Sequence, residues 1–265
     1  MPVSRVFGGM SVIALDDGAG PFYQSRTEAF PGSTPEQWRR ADAYDPGAVT
    51  AGGEWLLRFR CFAIRLDDGT VIIVDAGIGA ADSPAATWAP VPGRLPDELA
   101  AADIRPDDVK TVVLTHLHTD HVGWAVTGGA AYFRNATYLL QGTELSEIGR
   151  INPALVDSVI APLRASGQLA TVNGERWLGS GLRVVATPGH TPGHQSVKLD
   201  TPDGLLVFTG DLLVHAIQLL EPDVRYAGEM DPDAARASRT KLLDYLATSG
   251  GTLATAHLAE PFVRV

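Results

Sequence analysis

A chain of 265 residues with 45% hydrophobic and 20% charged side chains can bury a full core without a disulfide or metal staple, and its composition excludes a disordered protein. Its 31 acidic against 21 basic side chains leave a formal charge of −10, which speaks against a nucleic-acid partner, because neutralising phosphates needs a basic footprint. The single cysteine, Cys61, excludes a disulfide framework and any multi-cysteine metal site, and with nothing beside it to lower its pKa it is expected to be an inert buried thiol.

No stretch approaches the roughly 20 continuous apolar residues that span a bilayer, so no membrane partner is expected. The opening MPVSRVFGGMSVIALDDG has an apolar run interrupted by Gly8 and Gly9 and no small-residue cleavage site. It reads as a strand rather than a signal peptide, and a cytoplasmic protein is expected. Residues 1–265 are expected to form one domain, with 17–60 as an aromatic-rich N-terminal extension or lid. Eight of the chain's nineteen aromatic residues fall between positions 22 and 62, amid Pro and Gly. Such a stretch suits a loop pinned to the core, a lid, or a homodimer interface.

Farther along, five short apolar runs each lead to a turn with a polar residue: 71–74 before Asp75, 111–114 before His116, 182–186 before His190, 205–208 before Asp211, and 252–256 before His257. Continuous apolar runs of this length suit strands buried on both faces. Helical patterns lie between them. Over 153–167, Leu155, Val156, Val159, Ile160 and Leu163 recur at helical spacing. Asp231-Pro232 supplies an N-cap and a first-turn proline for a helix through Leu242, Leu243 and Leu246 that stops near Gly250-Gly251. The alternation predicts an α/β domain with a layered core.

The run Thr115-His116-Leu117-His118-Thr119-Asp120-His121 sets four ligand-type side chains within six residues, directly after a buried strand. Alternation puts His116 and His118 on one side of an extended turn. Asp120 and His121 can face a neighbouring position where a helix begins, so one loop can feed two metals. Four groups cannot complete two coordination shells, and further ligands are expected at later strand ends, where His190, Asp211 and His257 stand. Nitrogen and oxygen donors alone suit Zn2+, with Mn2+ or Fe2+ served by the same set. Asp75 and His194 are read as outer partners that orient the ligands. Trp88 in the loop 79–93, Trp124, Val214 and His215 are candidate walls of a substrate pocket.

The H-x-H-x-D-H run, with Val74-Asp75-Ala76-Gly77 before it and the Pro-Gly-His-Thr-Pro-Gly-His-Gln-Ser turn after it, resembles the metallo-β-lactamase fold superfamily over nearly the whole chain. The resemblance implies a four-layer αββα sandwich of two similar halves. It implies one divalent ion on His116, His118 and His190, a second on Asp120, His121 and His257, and Asp211 bridging them. The activity implied is a dinuclear hydrolysis of a small molecule with an electrophilic carbonyl or phosphoryl group: an ester, lactone, thioester or phosphotriester. A metal-bridging hydroxide would attack, with Asp120 and Asp211 as the catalytic carboxylates. No cysteine stands at position 211, as a cysteine-ligand lactamase would need. The chain is most similar to the quorum-quenching lactonase and organophosphate-hydrolase-like group, although Val214 stands where such lactonases commonly place a tyrosine. The competing expectation is a mononuclear iron oxidoreductase of the sulfur dioxygenase type on the same fold.

Overall fold

In the computed structural model, which describes residues 2–202 and 204–265, the opening stretch is a hairpin rather than the one strand expected. Gly8 and Gly9 both adopt positive φ (54° and 90°), a conformation that glycine reaches without steric cost. They fold β1 (Val3–Phe7) antiparallel onto β2 (Met10–Pro21). The first sheet continues through β3 (Leu56–Arg65), β4 (Val71–Val74) and β5 (Val109–Val113). A separate two-stranded ribbon follows, β6 (Val126–Thr127) with β7 (Ala130–Ala131), before β8 (Thr137–Gln141) and β9 (Leu169–Val172) complete the first sheet in the order β1-β2-β3-β4-β5-β8-β9. The second sheet takes β10 (Arg176–Gly179), β11 (Leu182–Ala186), β12 (Gln195–Thr201), β13 (Gly204–Phe208), β14 (Gly251–Ala254) and β15 (Phe262–Arg264) in sequence order.

The period of two along each strand sorts the apolar side chains into layers. Leu15, Cys61, Ala63, Ile73 and Val112 point outward from the first sheet onto helical Leu95, Leu99, Leu155, Val159 and Leu163. Their strand neighbours Val12, Ala14, Phe62, Ile64, Ile72, Val74 and Val113 point inward and meet Val184, Val197, Leu199, Leu206 and Phe208 of the second sheet. On the far side Leu205, Val207 and Leu253 pack against Leu242, Leu243 and Leu246 of the helix Pro232–Ser249. Helix, sheet, sheet and helix follow one another, the four-layer sandwich expected. Cys61 lies in this core, and burial pushes its thiol well up.

The C-terminal helix has the boundaries its sequence signals. The Asp231 carboxylate accepts the Ala234 N–H at 3.0 Å, Pro232 occupies the first turn, and Gly250 ends the helix at φ 68°. Asp231→Ala is expected to cost about 1 kcal/mol of unfolding free energy, measurable as a lowered urea midpoint at constant slope. The predicted helix over 153–167 is less regular. It begins as a wide π-type turn over Val156–Ile160 and becomes α-helical over Ala161–Ala165, where Pro162 has no N–H to offer the preceding turn.

Residues 17–60 divide between the sheet and a cap. The ends belong to β2 and β3; between them the helices Arg26–Ala29 and Pro35–Tyr44 carry Phe30 and Trp38 into an aromatic cluster with Trp55, Phe59, Val214 and Ile217. Among the described residues no helix is long and apolar enough to cross a membrane.

Candidate metal centre

The ligand-type residues gather where strands end. The loop after β5 carries His116, His118, Asp120 and His121; the turns after β11, β13 and β14 carry His190, Asp211 and His257. Donor atoms of His116, His118, His190 and Asp211 lie within 4.8 Å of one another, and so do those of Asp120, His121 and His257. Asp211 stands between the groups with its oxygens facing opposite ways. Its Oδ2 is 3.2 Å from His190 Nε2 and 3.8 Å from His116 Nε2, while Oδ1 is 2.9 Å from His257 Nε2 and 3.2 Å from His121 Nε2. Asp120 Oδ2 lies 3.5 Å from His121 Nε2 and 3.8 Å from His257 Nε2.

These atoms are close without being paired. Among the described residues His116 Nε2, His121 Nε2 and Asp211 Oδ1 are buried with no well-aligned hydrogen-bond partner. Their other ring nitrogens fix the tautomer. His121 Nδ1–H donates to Asp75 Oδ2 at 2.9 Å and His257 Nδ1–H to the Arg58 carbonyl at 2.6 Å, so Nε2 is the ring nitrogen each turns toward Asp211. His118 Nδ1 and His190 Nε2 face each other at 3.0 Å. A set of converging lone pairs with buried carboxylates fits divalent cations.

The electrostatics agree. Burial, aided by His121 and His118, holds His116 well below the usual histidine range, and burial with His190 brings His118 down to about 3. Burial also opposes charge on His121 and His257, but Asp211 and Asp120 outweigh it and hold both rings above that range. Conversely, burial would raise the two carboxyls, yet His121 and His257 keep Asp120 below its ordinary value and Asp211 well below. A cation held there would compete with protons for His121 and His257, so its binding would be weakened as the pH falls.

Asp75 and His194 stand behind the cluster. Asp75, held at φ 62°, accepts the Thr115 N–H (2.7 Å), the Thr115 hydroxyl (2.9 Å) and His121 Nδ1–H. His194 Nε2 accepts the Asp211 N–H at 3.0 Å, while its Nδ1 lies 2.9 Å from Thr187 Oγ1. Asn tolerates positive φ, so Asp75→Asn is expected to fold while turning an amide N–H2 against one of three donors. Cation affinity should fall about 10–100-fold, read by competition with a chelator.

Sequence reasoning missed Glu144. This buried carboxylate accepts the Leu117 N–H (2.8 Å), the Thr191 hydroxyl (2.8 Å) and the Gly193 N–H (2.9 Å), tying the first ligand loop to the turn that carries His190. A Cβ at Gly193 would meet the Glu144 backbone at 2.2 Å, so glycine sets that close approach. A glutamate in the first turn of a short helix gives no signal of this role.

A cleft of about 770 Å³ opens over the cluster, and Trp88 and Val214 line it together with Phe22, Tyr23, Trp55 and Tyr226. Trp124 and His215 do not, a correction to the expected pocket. Trp124 is pulled into the core, where its indole N–H donates to Asp17 at 3.1 Å. His215 is enclosed by Phe30, Trp38 and Trp55 and accepts the Ile217 N–H at 3.1 Å; burial brings it down to about 3. Tyr226, in the segment between them and the C-terminal helix, lies parallel to His190, with ring centroids 6.1 Å apart.

The family model described as the metallo-beta-lactamase superfamily matches residues 60–257. An N-acyl homoserine lactonase of Bacillus thuringiensis is 28% identical over 150 residues, 56% of this chain and 56% of its own length. N-acyl homoserine lactonase AttM of Rhizobium radiobacter is 31% identical over 121 residues, 40% of this chain and 42% of its own. The chain thus spans about half the length of the curated relatives it matches. Among solved structures, hydrolase AbOPH in the beta lactamase superfamily aligns with a TM-score of 0.81 at 27% identity, covering 98% of this chain and 91% of that one. AidC, a dizinc quorum-quenching lactonase in complex with a product, aligns at 0.78 and 21% identity, covering 100% and 96%; at that identity the likeness is one of fold.

Proposed function

The chain belongs to the metallo-β-lactamase superfamily, and from that premise we propose that it is a dinuclear metal-dependent hydrolase of uncharged esters or lactones. The observation that carries this reading is Asp211, whose two oxygens address two separate sets of histidine nitrogens. His116, His118 and His190 would hold one cation and Asp120, His121 and His257 the other, with Asp211 between them and zinc as the metal the donor chemistry suits. Two bound divalent ions would supply Lewis-acid polarisation of a carbonyl and a water of lowered pKa.

The protein's own groups supply the rest. Asp120 lines the cleft floor and is assigned to take the proton of the attacking water. Phe22, Tyr23, Trp55, Trp88 and Tyr226 form aromatic walls, and among the described residues the lining contains no lysine or arginine, so an apolar acyl or aryl group is matched and a charge carried on that group, away from the cations, finds no counter-charge in the walls. Through Phe22, Tyr23 and Trp55, residues 17–60 act as one wall of that cleft.

Metal analysis coupled to a substrate panel tests the reading. Two zinc equivalents per chain are expected, with hydrolysis of uncharged aryl esters or lactones that a chelator abolishes and Zn2+ restores. An analogue of the same ester with a carboxylate at the far end of its acyl or aryl group should be turned over at least about tenfold more slowly. One iron per chain with oxygen uptake and no hydrolysis would overturn it.

A further inference from the structure

A second cavity, of about 730 Å³, lies on the other side of the His190 turn. It forms because the helix Pro232–Ser249 covers the second sheet unevenly. Over β13 and β14 the contact is apolar and closed, through Leu242, Leu243 and Leu246. Over β11 and β12 the facing side chains are Val185, Ser196 and Lys198, and a space remains between them and Ala237, Ser238, Lys241 and Tyr245 of the helix.

The chain has only three lysines, Lys110, Lys198 and Lys241, and two of them line this cavity. Neither has an ion-pair partner among the described residues, although arginines elsewhere are paired repeatedly. Lys198 is half-buried and its Nζ lies 5.7 Å from the centre of the Tyr245 ring. Burial, with Arg183 and Lys241 close by, lowers its pKa. Ammonium groups are rarely withdrawn from water without a counter-charge. The one acidic side chain in the lining among the described residues, Glu175, lies 3.9 Å from Arg183, which also pairs with Asp200. Among the described residues the lining therefore carries a single net positive charge in a chain of −10, beside the accessible apolar surface of Val185, Ala186, Ala237 and the Tyr245 ring.

We propose that this cavity is a binding site for a small amphipathic monoanion, whose charged head pairs with Lys198 and Lys241 and whose apolar body lies against Val185, Ala186 and the Tyr245 ring. The site is built into the support of the metal centre. Thr187 in its floor bonds Ser196 Oγ at 3.0 Å and His194 Nδ1 at 2.9 Å, and His194 holds the Asp211 N–H. On the helix side Ser238 donates to the Pro188 carbonyl at 2.8 Å. An occupant rests on the turn that presents His190, without entering the cleft where the reaction is placed.

Calorimetric titration of the metal-loaded protein with octane-1-sulfonate tests this, since a sulfonate is a poor metal ligand and supplies both the charge and the tail. Saturable one-to-one binding is expected, weakened about tenfold or more by Lys198→Met and by Lys241→Met. Lys198→Arg should retain it, and Lys110→Met, the same charge change elsewhere, should leave it untouched. Lys241 is on an exposed helix face, so its variant keeps the test sound even if Lys198→Met unfolds. Octyl glucoside and octyltrimethylammonium should bind at least tenfold more weakly. Absence of saturable binding, equal binding of the cationic or neutral amphiphile, or binding indifferent to both lysine variants would overturn the proposal. None of these readouts depends on hydrolysis, so the site stands or falls separately from the proposed activity.

Discussion

Asp211→Ala is expected to strip the protein of its cations together with its turnover. Among the described residues the carboxylate is the one group whose two oxygens reach both donor sets, and its main chain is pinned by His194 Nε2. Loss of an outer partner alone costs about 10–100-fold in metal affinity or activity; loss of this side chain should exceed that range. Metal per chain, measured by mass spectrometry of the purified variant, should fall below that of the parent, and hydrolysis with it. A further sign separates this from simple misfolding. In the metal-free protein Asp211 holds His121 and His257 above the usual histidine range. Both rings should therefore lose their protons at lower pH in the variant, readable by NMR titration of the imidazoles. Unchanged hydrolysis in Asp211→Ala would refute the assignment of the site.

Arg239→Met is expected to give the largest loss of stability. Arg239 is 0% exposed. Its guanidinium donates to Glu229 at 2.8 Å and to the carbonyls of Leu212, Pro222 and Val224. Methionine keeps much of the stem but leaves Glu229 as an uncompensated buried charge, at a cost of roughly 3–5 kcal/mol. Denaturant unfolding should show the loss, and adding Glu229→Gln should recover part of it, because the stranded charge is then gone. The affected loop carries Val214 and Tyr226 into the cleft, so activity should fall further than the folded fraction does.

The strands of the sandwich and the seven ligand-type residues were legible because both have short-range signatures. Continuous apolar runs ending in a polar turn became β4, β5, β11, β13 and β14 within a residue or two. The single strand read from the first eighteen residues concealed a hairpin, since a glycine pair that interrupts a run is also one that can reverse it. The cleft walls were harder to read. Trp124 follows His121 by three positions, but the Gly123 N–H bonds the Gly77 carbonyl and the Trp124 N–H the Ala76 carbonyl, each at 2.7 Å. That pairing swings the indole away from the cluster toward Asp17. His215 is enclosed by residues 30, 38 and 55, contacts that exist only after the N-terminal segment folds over the second half. Glu144 depends on two loops meeting, and local spacing carries no record of that.

Four of the seven donors hang from the first sheet and three from the second, with Glu144 stitching the two ligand loops together. Cations held there would act as a rivet through the seam of the sandwich. The halves could not slide or part without surrendering them, and the occupied protein gains stability as the logarithm of free cation over its dissociation constant, about 2.7 kcal/mol at a hundredfold excess. Metal affinity and the docking of the two halves are then one free energy seen from two sides. Slow exchange of inner-strand amides and slow loss of cation to a chelator should report the same opening of the seam.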